Sequence, residues 1–147
     1  MTQFVEFPVR SPFIDALGLK LVRADNGVSE VMLSLEPMHT NTWGVAHGGL
    51  TMTLLDVALS LAARSAGEPS GVVTVELNTS FMQPGRGELR AHGRVMHQSS
   101  TMAFCEGEVR DASGAFVAKA LGTFKYLRKL AVGRTIVEQA EPGGDAP

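Results

Sequence analysis

From Gly48 to Ala63 the chain reads GGLTMTLLDVALSLAA, and Asp56 is the one ionisable side chain in that run. Leu54, Leu55 and Val57 flank it. Asp is a weak helix former away from the first turn, and an unpaired buried carboxylate costs several kcal/mol. Asp56 is therefore either a structural group satisfied by a nearby hydroxyl or backbone donor, or a carboxylate that the protein uses. Just upstream stands Asn41-Thr42-Trp43-Gly44-Val45-Ala46-His47-Gly48-Gly49. Two glycines at the mouth of a helix let a ligand approach the backbone closely, and the unpaired N–H groups of a first turn suit an oxyanion. That is the requirement of acyl transfer. Asn41 either holds a carbonyl through its amide or shapes a turn. His47 has no acid or nucleophile beside it in sequence, which favours a bond to loop backbone over a general base. Thr74 and Glu76 fall on one face of the strand expected after the helix, with Val73, Val75 and Leu77 on the other. Eight residues of helix separate Gly48 from Asp56, about 12 Å at 1.5 Å per residue. If both act on one carbonyl, the carboxylate must come from a second copy of the chain.

The elements that position these residues follow from periodicity and turn chemistry. Residues 12 to 18 make one or two helical turns, and Lys20 to Leu35 holds two short strands hinged at Asp25-Asn26-Gly27, a strong hairpin signal. A long helix spans Gly48 to Ala66, apolar or small on nearly every side, and Gly67-Glu68-Pro69-Ser70-Gly71 breaks it. Four alternating runs follow at about 72 to 81, 87 to 98, 101 to 111 and 115 to 127. Turn residues at Pro84-Gly85-Arg86-Gly87, Gln98-Ser99-Ser100 and Asp111-Ala112-Ser113-Gly114 separate them. Strands joined by short turns pair antiparallel with their neighbours in sequence. These elements predict an α+β domain, a curved antiparallel sheet wrapped around one long central helix. One sheet covers one side of that helix, so the remaining apolar surface predicts at least a homodimer. The expected domain covers 1–130, and 131–147 is a C-terminal extension, mobile at its end, since EPGGDAP offers no apolar contacts.

Bulk properties narrow the classes of function. The 147 residues suit one domain, and 44% hydrophobic content fills one core. Thirteen basic and 15 acidic residues without a block of either sign leave no footprint for nucleic acid or an anionic membrane surface. The amino terminus has no basic flank before an apolar run, so no secretory signal is expected, and no stretch is long enough to span a membrane. The single cysteine, Cys105, reads as a small core residue and, with the missing signal, points to a reducing cytoplasm. His39, His47, His92 and His97 show no ligand spacing, so no metal site is expected. There is no phosphate loop, dinucleotide fingerprint or Gly-x-Ser-x-Gly elbow.

The combination Asn41-x-x-Gly44-x-x-His47-Gly48-Gly49, six residues and then Asp56 in LLDVALS resembles the hotdog-fold acyl-CoA thioesterases. The branch it is most similar to includes the phenylacetate-pathway thioesterase and mammalian acyl-CoA thioesterases of similar size. The likeness runs from about residue 12 to residue 127 and takes in VVTVELNTSFMQP and AKALGTFKYL. It implies a hotdog fold, a dimer or dimer of dimers, and hydrolysis of an acyl-CoA to a carboxylic acid and free CoA without metal or cofactor. It further implies that the Gly48 N–H binds the thioester carbonyl and that Asn41 and His47 support loop and substrate. Asp56 would act across the interface as base or nucleophile, and Thr74 would orient the water. Gly49, Met52, Phe81 and Met82 are the expected substrate contacts near that site. The departure is in CoA recognition: where the branch often carries a glycine and a basic residue, this chain has Gln98-Ser99-Ser100-Thr101. Hydroxyls of Ser99, Ser100 and Thr101 could meet phosphate there, with Arg64, Arg86, Lys125, Arg128 and Lys129 as alternatives. A non-catalytic acyl-CoA binding module and a hotdog dehydratase or hydratase are the competing readings on the same fold. The acyl group itself, aromatic or aliphatic, is left open.

Overall fold

Asn26 and Gly27, both with positive φ (48° and 78°), turn strand β1 (Lys20–Asp25) into β2 (Val28–Ser34) through the tight primed hairpin that these two residue types permit. The computed structural model describes residues 1–67 and 71–142. Ahead of the hairpin lies α1 (Pro12–Leu17), capped by Ser11, started by a proline and ended by Gly18 at φ 77°. After it come a short 3-10 turn (Pro37–His39), the long helix α2 (Gly48–Ala66) and strands β3 (Gly71–Phe81), β4 (Glu88–Gln98), β5 (Met102–Asp111) and β6 (Phe116–Leu127). The helix breaker expected at 67–71 falls largely on residues 68–70, outside the described residues.

All pairings in the six-stranded sheet are antiparallel, in the order β1-β2-β4-β5-β6-β3. This corrects one expectation. β3 and β4, joined by the Pro84-Gly85 segment, are not neighbours: β3 pairs with β6 at the far edge and β4 pairs with β2. Turn residues show that the chain bends, not how far it travels. Three strand spacings, about 14 Å, separate the two, and the six residues 82–87 can reach about 20 Å. Met82 and Gln83 donate to the Val117 carbonyl, and Gly85 accepts from the Ala46 N–H at 3.0 Å, tying the crossover to the segment entering α2.

α2 lies close against the sheet because the strands beneath it carry glycines. A Cβ on Gly93 would stand 2.8 Å from the Ala58 carbonyl oxygen, and one on Gly122 would stand 2.9 Å from Leu59. Ser29 uses this proximity to donate a 2.6 Å hydrogen bond to the Ala58 carbonyl. Leu54, Leu55, Leu59, Leu89, Val109 and Phe124 are fully buried around that contact. Cys105 is buried among them, and burial pushes its thiol up to about 12, so it is an inert core residue. At the far end of the helix Tyr126 donates to the Ala63 carbonyl at 2.7 Å, and the Gln98 amide to the Ala66 carbonyl at 3.0 Å.

The carboxy-terminal extension contains a further hairpin that the alternation did not announce, β7 (Leu130–Val132) and β8 (Thr135–Val137), turning at Gly133 with φ 61°. Its continuation folds back on the domain: Gln139 accepts from Arg64 at 2.7 Å, and the Ala140 carbonyl accepts from the Arg10 N–H at 3.2 Å. Of the end expected to be mobile, residues 141–147, the last five (143–147) are outside the described residues.

Candidate active site

Asp56 projects from α2 toward the edge strand, where the Thr74 hydroxyl donates a 2.6 Å hydrogen bond to its Oδ1. Burial raises the Asp56 carboxyl above its ordinary value, and the Thr74 hydroxyl offsets part of that rise by favouring the charged form. A β-bulge between Thr74 and Glu76 makes the contact possible. It corrects the expected face of β3. With Val75 as the extra residue, Thr74 and Leu77 turn toward the helix while Glu76 and Val75 turn away into solvent. Simple alternation cannot foresee a bulge.

Asp56 lies in the wall of a cavity of about 440 Å³, within the size range of small-ligand sites. Met52, Thr53, Val57, Ser60 and Leu61 complete the helix side. These positions repeat at three and four residues and so share one face of α2, a signal present in the sequence. The opposite wall, Phe7, Val9, Phe13 and Ile14, comes from the amino-terminal strap. No local pattern could have found it, because the strap is brought to α2 only by folding.

The mouth of α2 is arranged around His47. Its backbone N–H donates to the His39 carbonyl at 2.9 Å, and its Nδ1 accepts from the Gly49 N–H at 3.0 Å, capping the helix. An accepting Nδ1 carries no proton, so the neutral ring has its hydrogen on Nε2. His47 thus holds the loop and is not set up as a base through Nδ1. Gly49 spends its N–H on that cap, whereas the Gly48 N–H has no hydrogen-bond partner among the described residues. The ring of Phe81 lies beside Gly48, where an added Cβ would meet it at 3.5 Å. Asn41 shapes the loop: its Oδ1 accepts from the Trp43 and Val45 N–H groups at 2.8 and 3.3 Å.

The structure does not bring all candidate residues together in one chain. Met52 shares the cavity with Asp56. Phe81 and Met82 are half-exposed at the end of β3, by the helix mouth. Ser99, Ser100 and Thr101 sit in the β4–β5 turn, near the far end of α2, about 27 Å along the helix from Gly48. There the Ser99 hydroxyl accepts from the Thr101 and Met102 N–H groups, forming the turn itself. Among the described residues no group of three His, Cys, Asp or Glu could hold a metal ion. No described helix is long and apolar enough to cross a membrane.

A family model described as the thioesterase superfamily matches residues 44–118, the stretch that holds the helix mouth, Asp56, Thr74 and the crossover. The chain belongs to the thioesterase superfamily. Human acyl-coenzyme A thioesterase 13 is 33% identical over 114 residues, covering 74% of this chain and 79% of the relative. A conserved protein of Pseudomonas aeruginosa superposes with TM-score 0.77 at 34% identity, covering 82% of this chain and 97% of its own. A variant of the phenylacetic acid degradation protein PaaI from Thermus thermophilus superposes at 0.72 with 30% identity, covering 80% and 100%. The six-stranded antiparallel sheet on one long helix is the hotdog fold of this superfamily.

Proposed function

We propose that the protein is an acyl-CoA thioesterase that works as a homodimer, hydrolysing the thioester to a carboxylic acid and free CoA. The observation that carries this reading is the Asp56–Thr74 pair, a carboxylate with raised proton affinity, pinned at one oxygen in the wall of a ligand-sized cavity. Pinning Oδ1 leaves Oδ2 to take a proton from water. The water oxygen bonds to the carbonyl carbon, and the oxyanion that forms is held by the Gly48 N–H and the positive end of α2. Collapse breaks the C–S bond, and the leaving thiolate recovers the proton from Asp56. Base and oxyanion donor are both supplied by the chain, so no step of this mechanism calls for a cofactor.

Gly48 and Asp56 of one helix are too far apart to share a carbonyl, so the reading pairs Gly48 with Asp56 of the partner subunit. Two features support a second copy: β3 is an edge strand whose outer side pairs with no strand among the described residues, and it exposes Val75 and Phe81 at 59% and 54%. The Gly49 N–H occupies His47 Nδ1, which favours hydrolysis over a dehydratase or hydratase that would use that nitrogen as a base.

Thiol release should be measured across a panel of acyl-CoAs for the wild type and Asp56→Asn. The substitution keeps the shape of the side chain and should lower kcat by about 10²–10⁴, the range of a lost general base. Full activity in the variant would overturn the mechanism. Tight binding of acyl-CoA without release from any of them would favour the binding-module reading.

A further inference from the structure

Asp56 opens into a cavity whose other wall is a strap at the amino terminus, more than forty residues away in the chain. The strap is tied down at several points. Val5 bridges to Leu21 at 2.9 Å, the Arg10 N–H reaches the Ala140 carbonyl, and Ser11 caps α1. Phe7 and Val9 between these ties, and Phe13 and Ile14 in α1 after them, line the cavity with Val57 and Leu61 of α2. An apolar group bound there would have the carboxylate at one end of it. Among the described residues of the wall the charged ones are Asp15 and Asp56, with no Lys, Arg or His. Arg10 lies 3.7 Å from Asp15 but is not part of the wall. A second anion entering this space would meet the half-buried Asp56 carboxylate with no cation among the described wall residues to receive it, while Asp15 is exposed and paired with Arg10.

A neighbouring pocket of about 350 Å³ lies along the same helix toward its mouth, with His47, Gly49 and Leu50 in its wall. Phe13 and Thr53 are the residues common to both cavities. Thr53 is fixed by its hydroxyl bond to the Gly49 carbonyl at 2.9 Å. Phe13, 60% exposed on the short helix α1, is the bulky element of the partition.

We propose that the cavity beneath the strap holds the acyl chain of the thioester, selects neutral apolar acyl groups over carboxylated ones, and is limited in length by Phe13, which closes it from the pocket at the mouth of α2. The proposal rests on the thioesterase reading and names its substrate class. Phe13 then determines specificity without taking part in bond making.

The test is kcat and KM for straight-chain acyl-CoAs from butanoyl to tetradecanoyl, with glutaryl-CoA set beside pentanoyl-CoA, for wild type, Phe13→Ala and Phe13→Trp. Phe13→Ala should join the two cavities and shift the optimum to longer chains. The ratio of kcat/KM for long over short chains should rise by about tenfold, as expected for burying two further methylene groups, and the change should fall mainly in KM. Phe13→Trp should shift the optimum the other way, and glutaryl-CoA should be at least about tenfold poorer than pentanoyl-CoA in the wild type. Both variants should melt with the wild type, because the ring is mostly exposed. An unchanged chain-length profile in both Phe13 variants, or equal use of glutaryl- and pentanoyl-CoA, overturns this proposal alone. No hydrolysis of any thioester by the wild type overturns the thioesterase reading and this proposal with it.

Discussion

If Gly48 of one protomer works with Asp56 of the other, two inactive variants should restore each other. Gly48 is the first residue of α2, and His47 before it is extended at φ −62° and ψ 136°. A proline fits a first helical position and follows an extended residue without strain, so Gly48→Pro should delete the N–H while leaving the helix in place. Losing an oxyanion donor lowers kcat by about 10²–10³, and Asp56→Asn should lower it by about 10²–10⁴. In a dimer of one Gly48→Pro chain and one Asp56→Asn chain, one site has both defects and the other has neither. Equal mixing with free exchange makes half of the dimers mixed, and one site in two is intact in each, so activity should recover to about one quarter of wild type. That is well above either variant alone. The assay is thiol release before and after co-refolding of the two variants, with mixed dimers isolated by two affinity tags. If the isolated mixed dimer is as inactive as its parents, the shared-site reasoning is wrong, and the separation of about 12 Å along one helix must be closed in some other way.

Thr74→Val keeps the size of the side chain and removes the donor to Asp56. Because that bond favours the carboxylate, the acid limb of the kcat/KM profile should move to higher pH. Below the limb the rate should fall by about tenfold, the low end for a bond to a charged group; an unmoved limb would show that Thr74 does not tune Asp56. Asp56→Asn should also change stability. Burial raises Asp56 above its ordinary 3.8, so the folded chain holds this proton more tightly than the unfolded chain. Stability is therefore lost as pH rises from 3.8 through the folded value. The variant should melt above the wild type at pH 7, with the gap closing toward pH 3, and a lower melting temperature at pH 7 would contradict the assigned shift. Gly93→Ala places a methyl 2.8 Å from the Ala58 carbonyl oxygen and 2.9 Å from Ser29 Oγ. Denaturant unfolding should show a loss of about 1–3 kcal/mol at an unchanged slope, and wild-type stability would mean that α2 does not sit as close to the sheet.

Much of the architecture was legible because its causes are local. Asn26-Gly27 names its own turn through the positive φ that few residues tolerate, and the apolar run of α2, interrupted by a single carboxylate, singles out Asp56 by residue type alone. Asn41, His47, Gly48 and Gly49 announce a helix mouth by their types and order. The sequence also carries enough likeness over residues 44–118 to fix the superfamily.

Tertiary structure decided the rest, and in each instance the cause is a contact between residues far apart in the chain. That β3 crosses to the far edge depends on pairing with β6, which forms some 40 residues later. The bulge beside Thr74 depends on that same pairing, and it turns Thr74 toward Asp56 and Glu76 away. The cavity exists only because the strap folds over α2, so Phe13 gains a role that neither its type nor its neighbours in sequence imply. Periodicity is a property of neighbouring residues and reports which face a side chain takes; it carries no information on which distant segment will come to lie against that face.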